Sequence, residues 1–290
     1  MASKNYPFLK ALSGSGTSFE WCINCYRGCQ HGCTYCYGRT MMRTQRQNKT
    51  SFYYYPIWIH ALPRKDIVQK LQRDIEQLKK RNKWKQFKKE VRDLFVNSVG
   101  DSYMPLELEH RLTRQVVEIL MREDLPFTIL TKNDNVLIDL DLYKEYPKCR
   151  VGFTITTLNE EFRRRFEPYS VPSWRKVTAL RTLKRKGVST YCSIEPIMPC
   201  PESDPFEIIR ETKDYVDMYE IGKWSPYPMP EVPKYLYKAY SDKYYVDLFE
   251  KLLVFLKQEK IPYCIALHSE PFLEEHGFSF VPHQLVMDYC

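Results

Sequence analysis

Residues 21–37 read WCINCYRGCQHGCTYCY, and this stretch is the most informative part of the sequence about the fold and chemistry of the protein. Within it, Cys29, Cys33 and Cys36 form a C-x3-C-x2-C motif, called the triplet below, and Tyr35 precedes its last cysteine. Three thiolates on one short loop can bind three irons of a [4Fe–4S] cubane, which leaves the fourth iron without a protein ligand. The stretch therefore favours an iron–sulfur site with one open coordination position.

Two other interpretations of these cysteines stay open at the level of sequence. Cys22 and Cys25 form one C-x2-C pair, and Cys33 and Cys36 form another, which is the usual unit of a four-thiolate zinc site. The short spacer between the pairs is unlike the roughly 15–20 residues usual in zinc ribbons. Disulfides are less favoured still, because the chain is long and we expect no signal peptide at its start.

The stretch resembles the radical S-adenosylmethionine superfamily, and residues 24–37 are similar to the spore photoproduct lyase-like branch of that superfamily. The resemblance covers about residues 19–225. Further segments that resemble the branch, in its order, are residues 97–107, 130–133, 153–157, 167–168 and 194–199. One departure is that Cys25 stands where the branch usually has proline.

The resemblance implies a [4Fe–4S] cluster held by the triplet, with S-adenosylmethionine bound at the open iron. A reduced cluster would pass one electron to the sulfonium, and the resulting 5′-deoxyadenosyl radical would remove hydrogen from a substrate. We expect a flavodoxin- or ferredoxin-like electron donor as a partner. Lyases of the branch carry a hydrogen-donating cysteine between the cluster loop and the third strand, but this chain has no cysteine in residues 38–148. That departure argues against lesion-lyase activity.

Strand-like runs alternate with helical patterns, which predicts an α/β fold with parallel strands and outer helices. We predict a partial (β/α)6-type TIM barrel, with the cluster loop following the first strand at the carboxyl-end rim. The predicted domains are a flexible lead-in at 1–16, the barrel at 17–225 and a C-terminal extension packed on it at 226–290. Strands are predicted at 19–23, 94–99, 127–131, 150–156, 189–194, 215–221 and 263–267, and helices at 66–80, 106–122, 135–146, 174–186, 205–213 and 244–260.

Polar residues follow the second and third predicted strands. The resemblance implies that Gly100, Asp101 and Ser102 cradle the methionyl amine of S-adenosylmethionine, although the same residues are typical of a simple turn. Thr131 and Lys132 follow the third strand, and Lys132 is suited to pair with the methionyl carboxylate. The alternative for Lys132 is a solvated surface charge.

Further candidates lie on the fourth and fifth strands and beside the triplet. Thr154 and Thr156 share one strand face, so they could contact the ribose or carboxylate of the cofactor, or only each other. Glu195 could bind a ribose hydroxyl, or form an ion pair with an arginine. We also assign a cofactor-binding role to Tyr35 and Tyr37. Tyr37 could place the adenine through backbone contacts, although tyrosine is also a common filler beneath a cluster.

Among the seven cysteines outside the triplet, Cys25 and Cys200 lie near the predicted rim. We predict that one of them is catalytic, as a hydrogen donor or as a ligand of a second metal. The alternative is that both are buried structural thiols, as free cysteines usually are. Cys192 is expected to face the barrel interior, and Cys149 and Cys264 to be buried.

The net charge of +8 is unevenly distributed, with basic stretches at residues 64–92 and 163–186. Lys and Arg alternate with aromatic residues at 79–89, so a nucleic acid could bind there. The alternative for the basic stretches is a pair of solvated helix faces, in which case the radical chemistry acts on a peptide or small metabolite. A further alternative for the whole chain is a zinc-stabilised binding module without enzymatic activity. Without an apolar run long enough for a bilayer, we expect no membrane partner and a cytoplasmic location, and we predict no oligomeric state.

Overall fold

A sheet of mostly parallel strands forms the centre of the protein in a computed structural model, which describes residues 6–14, 21–39, 58–227 and 229–282. Its order is β1-β2-β5-β6-β7-β8-β9-β10, and β1 alone is antiparallel to its neighbour. The sheet does not close, since β1 and β10 are its edges, while β3 and β4 form a separate antiparallel pair. The strands are β1 Leu12–Gly14, β2 Trp21–Ile23, β3 Tyr26–Arg27, β4 Leu62–Pro63, β5 Leu94–Val96, β6 Phe127–Thr131, β7 Cys149–Thr154, β8 Ser189–Ile197, β9 Met218–Lys223 and β10 Tyr263–Ile265.

Helices connect the parallel strands and cover one face of the sheet. None of those in the described ranges is long and apolar enough to cross a membrane. The helices are α1 Ile67–Lys80, α2 Trp84–Glu90, α3 Leu106–His110, α4 Leu112–Arg122, a 3₁₀ helix at Asp134–Asp139, α5 Leu140–Tyr143, α6 Glu160–Phe166, α7 Ser173–Arg185, α8 Pro205–Thr212, α9 Lys234–Ala239, α10 Asp242–Gln258 and α11 Glu270–Glu275.

Several helix predictions need correction. The predicted helix at 106–122 is two helices, because Arg111 has a left-handed backbone (φ 51°) that ends α3 before α4 begins. The predicted helix at 135–146 begins as a 3₁₀ helix. Helices α2, α6, α9 and α11 lie outside the predicted helices, and each has only six or seven residues, too short for a strong helical periodicity.

Alternation along the strands gives the sheet two different faces. On β5, Leu94 and Val96 join the main hydrophobic core beneath the helices, whereas Phe95 packs with Cys22 on the opposite, inner face. Tyr191 on β8 also faces inward, but Cys192 belongs to the main core. The expectation that Cys192 faces the interior is therefore wrong.

The predicted partial barrel is confirmed, and the sheet extends past six strands. β10 lies parallel to β9, so residues 263–265 continue the sheet and do not merely pack on it. The predicted boundary at residue 225 therefore does not coincide with an end of the sheet, and the division into domains stays a prediction. Residues 19–20 of the first predicted strand, and residue 228 and residues 283–290 of the extension, lie outside the described residues.

The predicted flexible lead-in at 1–16 needs correction where it is described, at residues 6–14. Leu12–Gly14 pairs with Trp21–Ile23 as an edge strand. The buried carboxylate of Asp74 on α1 accepts the backbone N–H groups of Lys10 (2.8 Å), Ala11 (2.7 Å) and Leu12 (3.0 Å). The sequence did not reveal this order because its cause lies more than sixty residues away.

Replacing Asp74 tests this anchor. We expect Asp74→Ala to lower the free energy of unfolding by about 2–4 kcal/mol, because the buried N–H groups of Ala11 and Leu12 lose their acceptor. Exposed Asp66, just before the same helix, provides the control, and Asp66→Ala should change stability by less than about 0.5 kcal/mol. Urea unfolding and amide exchange at residues 11–12 measure both effects. Equal losses in the two variants would contradict the anchor.

Candidate active site

The triplet lies on the loop that follows β2, at the carboxyl ends of the parallel strands. Cys29 and Cys33 are buried and Cys36 is half-buried. The three thiols are close enough that the charges of Cys33 and Cys36 add to burial and to Asp101 in raising the pKa of Cys29. The structure thus brings together the three cysteines that the sequence motif predicts.

Cys22 and Cys25, the other pair of the zinc interpretation, have different surroundings. The Sγ of Cys22 lies 3.3 Å from Ser13 Oγ, on the paired strands β1 and β2. Cys25 is completely buried, and burial, followed by the charge of Glu107, raises the pKa of its thiol. Among the described residues, no three Cys, His, Asp or Glu side chains are grouped to hold one metal ion. In a cubane each cysteine binds a different iron, so such convergence is not required.

Two glycines allow the cluster loop (residues 24–37) to pack closely on its neighbours. Gly28 has a left-handed backbone (φ 83°), and a Cβ there would lie 2.4 Å from the carbonyl oxygen of Trp58. That oxygen also accepts the N–H of Cys29 at 2.9 Å. Gly100 (φ 124°) packs against the carbonyl of Gly28, where a Cβ would lie at 3.0 Å. A side chain at either position would displace the loop that carries the triplet.

The surroundings of the thiols fit a bound iron–sulfur cluster. Backbone N–H groups of Gly38 and Arg39 hydrogen-bond to the sulfur of Cys36 and partly offset the effect of burial, which raises its pKa. The N–H of His31 does the same at Cys29. Buried thiolates need compensating positive charge, and a cluster supplies it in its iron ions. Cys29, Cys33 and Cys36 would therefore hold the cluster.

Asp101 links the cluster loop to the end of β6. Its Oδ1 accepts the N–H of Tyr103 (2.8 Å) and the hydroxyl of Thr131 (2.7 Å), and its Oδ2 accepts the N–H of Lys132 (2.8 Å). Nε2 of His31 lies 3.2 Å from Oδ2. Both oxygens therefore have protein partners, and the predicted contact of Asp101 with an ammonium group stays a prediction.

Ser102, next to it, is also used within the protein. Its hydroxyl donates to the carbonyl of Val96 (2.9 Å) and accepts from the side chain of Asn97 (3.0 Å). Asn97 in turn accepts the N–H of Cys25 at 2.5 Å. These bonds fix the segment after β5 against the cluster loop, and Gly100 provides the close approach between them.

Glu167, on the loop after α6, is the most heavily hydrogen-bonded carboxylate near the triplet and is only 1% exposed. Although burial opposes its ionisation, Lys132 and Lys176 lower the pKa of Glu167 well below its ordinary value. Among the described residues, its side-chain donors come from the cluster loop, the segments just after β6 and β7, its own loop and α7. They are Tyr35 OH, Lys132 Nζ (3.0 Å), Thr156 Oγ1 (2.8 Å), Ser170 Oγ (3.0 Å) and Lys176 Nζ (2.9 Å).

This arrangement changes the interpretation of two candidates. Lys132 is not a solvated charge but an ion-pair partner of Glu167, and its predicted contact with a methionyl carboxylate stays a prediction. The hydroxyl of Thr156 also bonds to Glu167. Thr154 lies on the inner face of β7, since Phe153 before it belongs to the main core.

Glu195, near the end of β8, pairs with a histidine, and no described arginine forms an ion pair with it. Its Oε1 lies 3.2 Å from Nδ1 of His268, and Gly222 makes room for the pair because a Cβ there would lie 3.0 Å from both side chains. Burial, with the nearby charge of Glu220, raises the pKa of Glu195 to about 7, against the opposing effect of His268. The predicted ribose contact of Glu195 stays a prediction.

The remaining candidates are placed as follows. Tyr37 is 40% exposed, and its hydroxyl donates to the carbonyl of Ser98 at 2.5 Å. Cys200 lies in the loop after β8, where burial, followed by the charge of Glu202, raises the pKa of its thiol to about 12. Like Cys25, it belongs to the main hydrophobic core. Their predicted catalytic roles stay predictions.

Sequence reasoning missed several residues of the site. Glu167 was noted only as part of a motif, and Lys176 only as one charge in a basic stretch. His268 lies beyond the segments that resemble the family. The one available signal was position, and it covered only Lys132, which follows a predicted strand and was therefore expected at the rim of the barrel.

Comparisons with known proteins agree with this geometry. The model of the radical SAM superfamily matches residues 23–212. An uncharacterized protein of Methanocaldococcus jannaschii is 32% identical over 226 residues, which are 78% of each chain. An uncharacterized protein of Acidianus two-tailed virus is 26% identical over 213 residues, covering 71% of this chain and 63% of that one.

Solved structures show a similar fold. A cysteine-to-alanine mutant of spore photoproduct lyase matches with a TM-score of 0.63 and 16% identity, covering 89% of this chain and 79% of the other. A second mutant of that lyase, with bound AdoMet and dinucleoside spore photoproduct, matches with a TM-score of 0.58 and 18% identity. That match covers 81% of this chain but only 64% of the lyase, less than two thirds of its length.

Iron content tests the assignment of the three cluster ligands. We expect Cys33→Ala to lose most of the iron after anaerobic reconstitution, because it removes a ligand, whereas Cys25→Ala should keep it. Iron analysis and visible absorbance measure the cluster, and circular dichroism checks that both variants are folded. If Cys25→Ala lost as much iron as Cys33→Ala, Cys25 would be a ligand and our assignment would be wrong.

The pH dependence of stability tests the raised pKa of Glu195. Because the native pKa of Glu195 is about 7 and its ordinary value is 4.5, the native state binds this proton more tightly than the unfolded chain. This group should therefore lower the free energy of unfolding as pH rises from about 4.5 to about 7. Glu195→Gln should remove that part of the slope in urea unfolding of the metal-free protein, while Glu250→Gln, at an exposed helix position, should not. An unchanged slope in Glu195→Gln would contradict the assignment.

Proposed function

The chain belongs to the radical SAM superfamily, and we propose that it uses a 5′-deoxyadenosyl radical to remove hydrogen from a nucleic-acid base presented at the barrel mouth. The resemblance found in the sequence is confirmed, and the protein is a radical SAM enzyme with a [4Fe–4S] cluster and S-adenosylmethionine as cofactors. The nature of the substrate and the hydrogen-removal step are our proposal.

The cofactors supply the one-electron cleavage chemistry when bound, and the protein holds and aligns them. The triplet provides three thiolates, and the bonds of Asp101 and Glu167 fix the cluster loop to the strand ends beside it. Inward-facing side chains such as Phe95 and Tyr191 fill the barrel interior below the mouth. A substrate atom would thus be reached only from the mouth, where water and other hydrogen donors can be excluded.

A group of exposed aromatic and basic side chains beside the cluster loop supports a nucleic-acid substrate. Tyr169 is 59% exposed and Trp174 is 64% exposed. The backbone N–H of Tyr169 donates to the carbonyl of His31 in the cluster loop, at 3.3 Å. Arg164 and Arg165 on α6 are exposed nearby in the chain. Aromatic rings that stack on bases, combined with arginines that contact phosphates, are typical of single-strand binding surfaces.

The aromatic and basic part of the other stretch, residues 79–89, lies at the far end of the barrel. Lys79 and Lys88 form ion pairs with Glu123 (2.6 Å) and Asp124 (3.2 Å), which lie in the short connection between α4 and β6. Residues that precede a parallel strand lie at the amino end of the sheet, opposite the cluster loop. A nucleic acid bound at residues 79–89 would not present a base at the mouth, so we place the binding surface at residues 164–174.

A peptide or small metabolite is the alternative substrate, and one observation favours it. Glu195 and Glu220 lie on neighbouring strands, β8 and β9, with Glu220 only 4% exposed. The charge of Glu220 contributes to the raised pKa of Glu195, so the two carboxyl groups are close. Such a pair attracts an amine-containing substrate and repels a phosphate.

Charge reversal at the two basic stretches distinguishes these substrates. We expect Arg164→Glu with Arg165→Glu to weaken binding of single-stranded DNA or RNA at least tenfold and to reduce the salt slope by about 1.4, since two phosphate contacts are lost. The matched control is Lys85→Glu with Lys89→Glu, both exposed on α2, which should bind as the wild type does. Fluorescence anisotropy at several salt concentrations measures both. Equal binding by the two variants would exclude the proposed surface and favour the metabolite or peptide.

A further inference from the structure

Two lysines share one buried carboxylate directly behind the cluster loop. Nζ of Lys132 lies 3.0 Å from Oε1 of Glu167, and Nζ of Lys176 lies 2.9 Å from Oε2. Lys176 and Glu167 are each 1% exposed, and Lys132 is 13% exposed. In the part of the chain that the structure describes, the other side-chain donors to Glu167 are hydroxyl groups, which carry no charge. We call these three side chains the Glu167 ion network; it contains two cations and one anion.

The network packs directly against the loop that carries the triplet. Tyr35, whose hydroxyl donates to Glu167, stands next to Cys36 in the chain, and Lys132 Nζ lies 5.7 Å from its ring centre. The N–H of Thr34 donates to the carbonyl of Phe166 at 2.9 Å, which ties the loop to the residue before Glu167.

The nearby charge of Asp101 does not cancel the excess of one positive charge in the Glu167 ion network. Asp101 also acts on Lys132, but its carboxylate faces His31, the hydroxyl of Thr131 and two backbone N–H groups. Its charge therefore stays the same when a member of the network is replaced. A substitution that neutralises one member of the network therefore changes the local charge by one unit, at a buried position where solvent screens little.

We infer that the Glu167 ion network is an electrostatic unit that raises the reduction potential of a [4Fe–4S] cluster held by the triplet. Nearby net charge and hydrogen bonds are among the factors that set the potentials of such clusters, and adding an electron is easier beside a cation. Lys176 is almost fully buried, and its ion-pair partner among the described residues is Glu167. Lys176 is a positioning residue because it places a positive charge near the triplet without touching the substrate. The inference does not depend on the identity of the substrate.

The test compares substitutions that change the charge in opposite directions. Lys176→Met removes one positive charge, Glu167→Gln removes the negative charge, and Lys176→Arg keeps the charge as the conservative control. Each holoenzyme is reconstituted anaerobically and titrated with dithionite without S-adenosylmethionine, and the midpoint potential is read by electron paramagnetic resonance. We expect the potential to be more negative than wild type in Lys176→Met, more positive in Glu167→Gln and close to wild type in Lys176→Arg.

A merely structural role gives a different result. Because each substitution disrupts a buried ion pair, Lys176→Met and Glu167→Gln should both lower the thermal stability of the metal-free protein, in the same direction. Potentials that move in opposite directions while stabilities fall together would support the inference. Potentials that move in the same direction, or not at all, would overturn it. If Lys176→Met does not take up a cluster, Lys132→Met removes the other cation, and a potential no more negative than wild type in that variant would also overturn it.

Discussion

The burial of one carboxylate, that of Glu167, is the constraint on which the arrangement of the site depends. A charged group with 1% exposure is tolerated only when opposite charges and hydrogen bonds surround it. Its partners come from separate parts of the chain, so satisfying Glu167 requires those parts to meet. The cluster loop, the ends of β6 and β7, and helix α7 are thereby held in one geometry around the triplet.

The sheet adds a second constraint, because one face packs against the helices and the other face lines the barrel interior. Outward-facing residues such as Leu94 and Val151 form the main core with the helices. Inward-facing positions carry a mixture of apolar and ionisable groups, among them Phe95, Glu195 and Glu220. Chemistry is concentrated where the inner face meets the carboxyl ends of the strands, as is usual in parallel barrels. The position of the triplet after β2 follows from this topology.

Much of this could be predicted from the sequence, for identifiable reasons. Spacing alone identified the triplet, and alternation between strands and helices identified the barrel, because both signals are local. The ion partners could not be predicted in this way: Tyr35 and Glu167 are 132 positions apart, and nothing near either residue indicates the other. The order of the N-terminal residues was missed for the same reason, since Asp74 imposes it from a distant helix. The basic stretches show a further limit, because composition reports charge but not the end of the barrel at which it lies.

The most direct test of the account is the formation of 5′-deoxyadenosine by the anaerobically reconstituted protein, given a strong reductant and S-adenosylmethionine and followed by chromatography. If the triplet holds a cubane with an open iron, the wild-type protein should contain about four irons per chain and release 5′-deoxyadenosine. Cys33→Ala should release none above background. Wild-type protein that binds a full cluster yet releases no 5′-deoxyadenosine, or equal release by Cys33→Ala, would contradict the account.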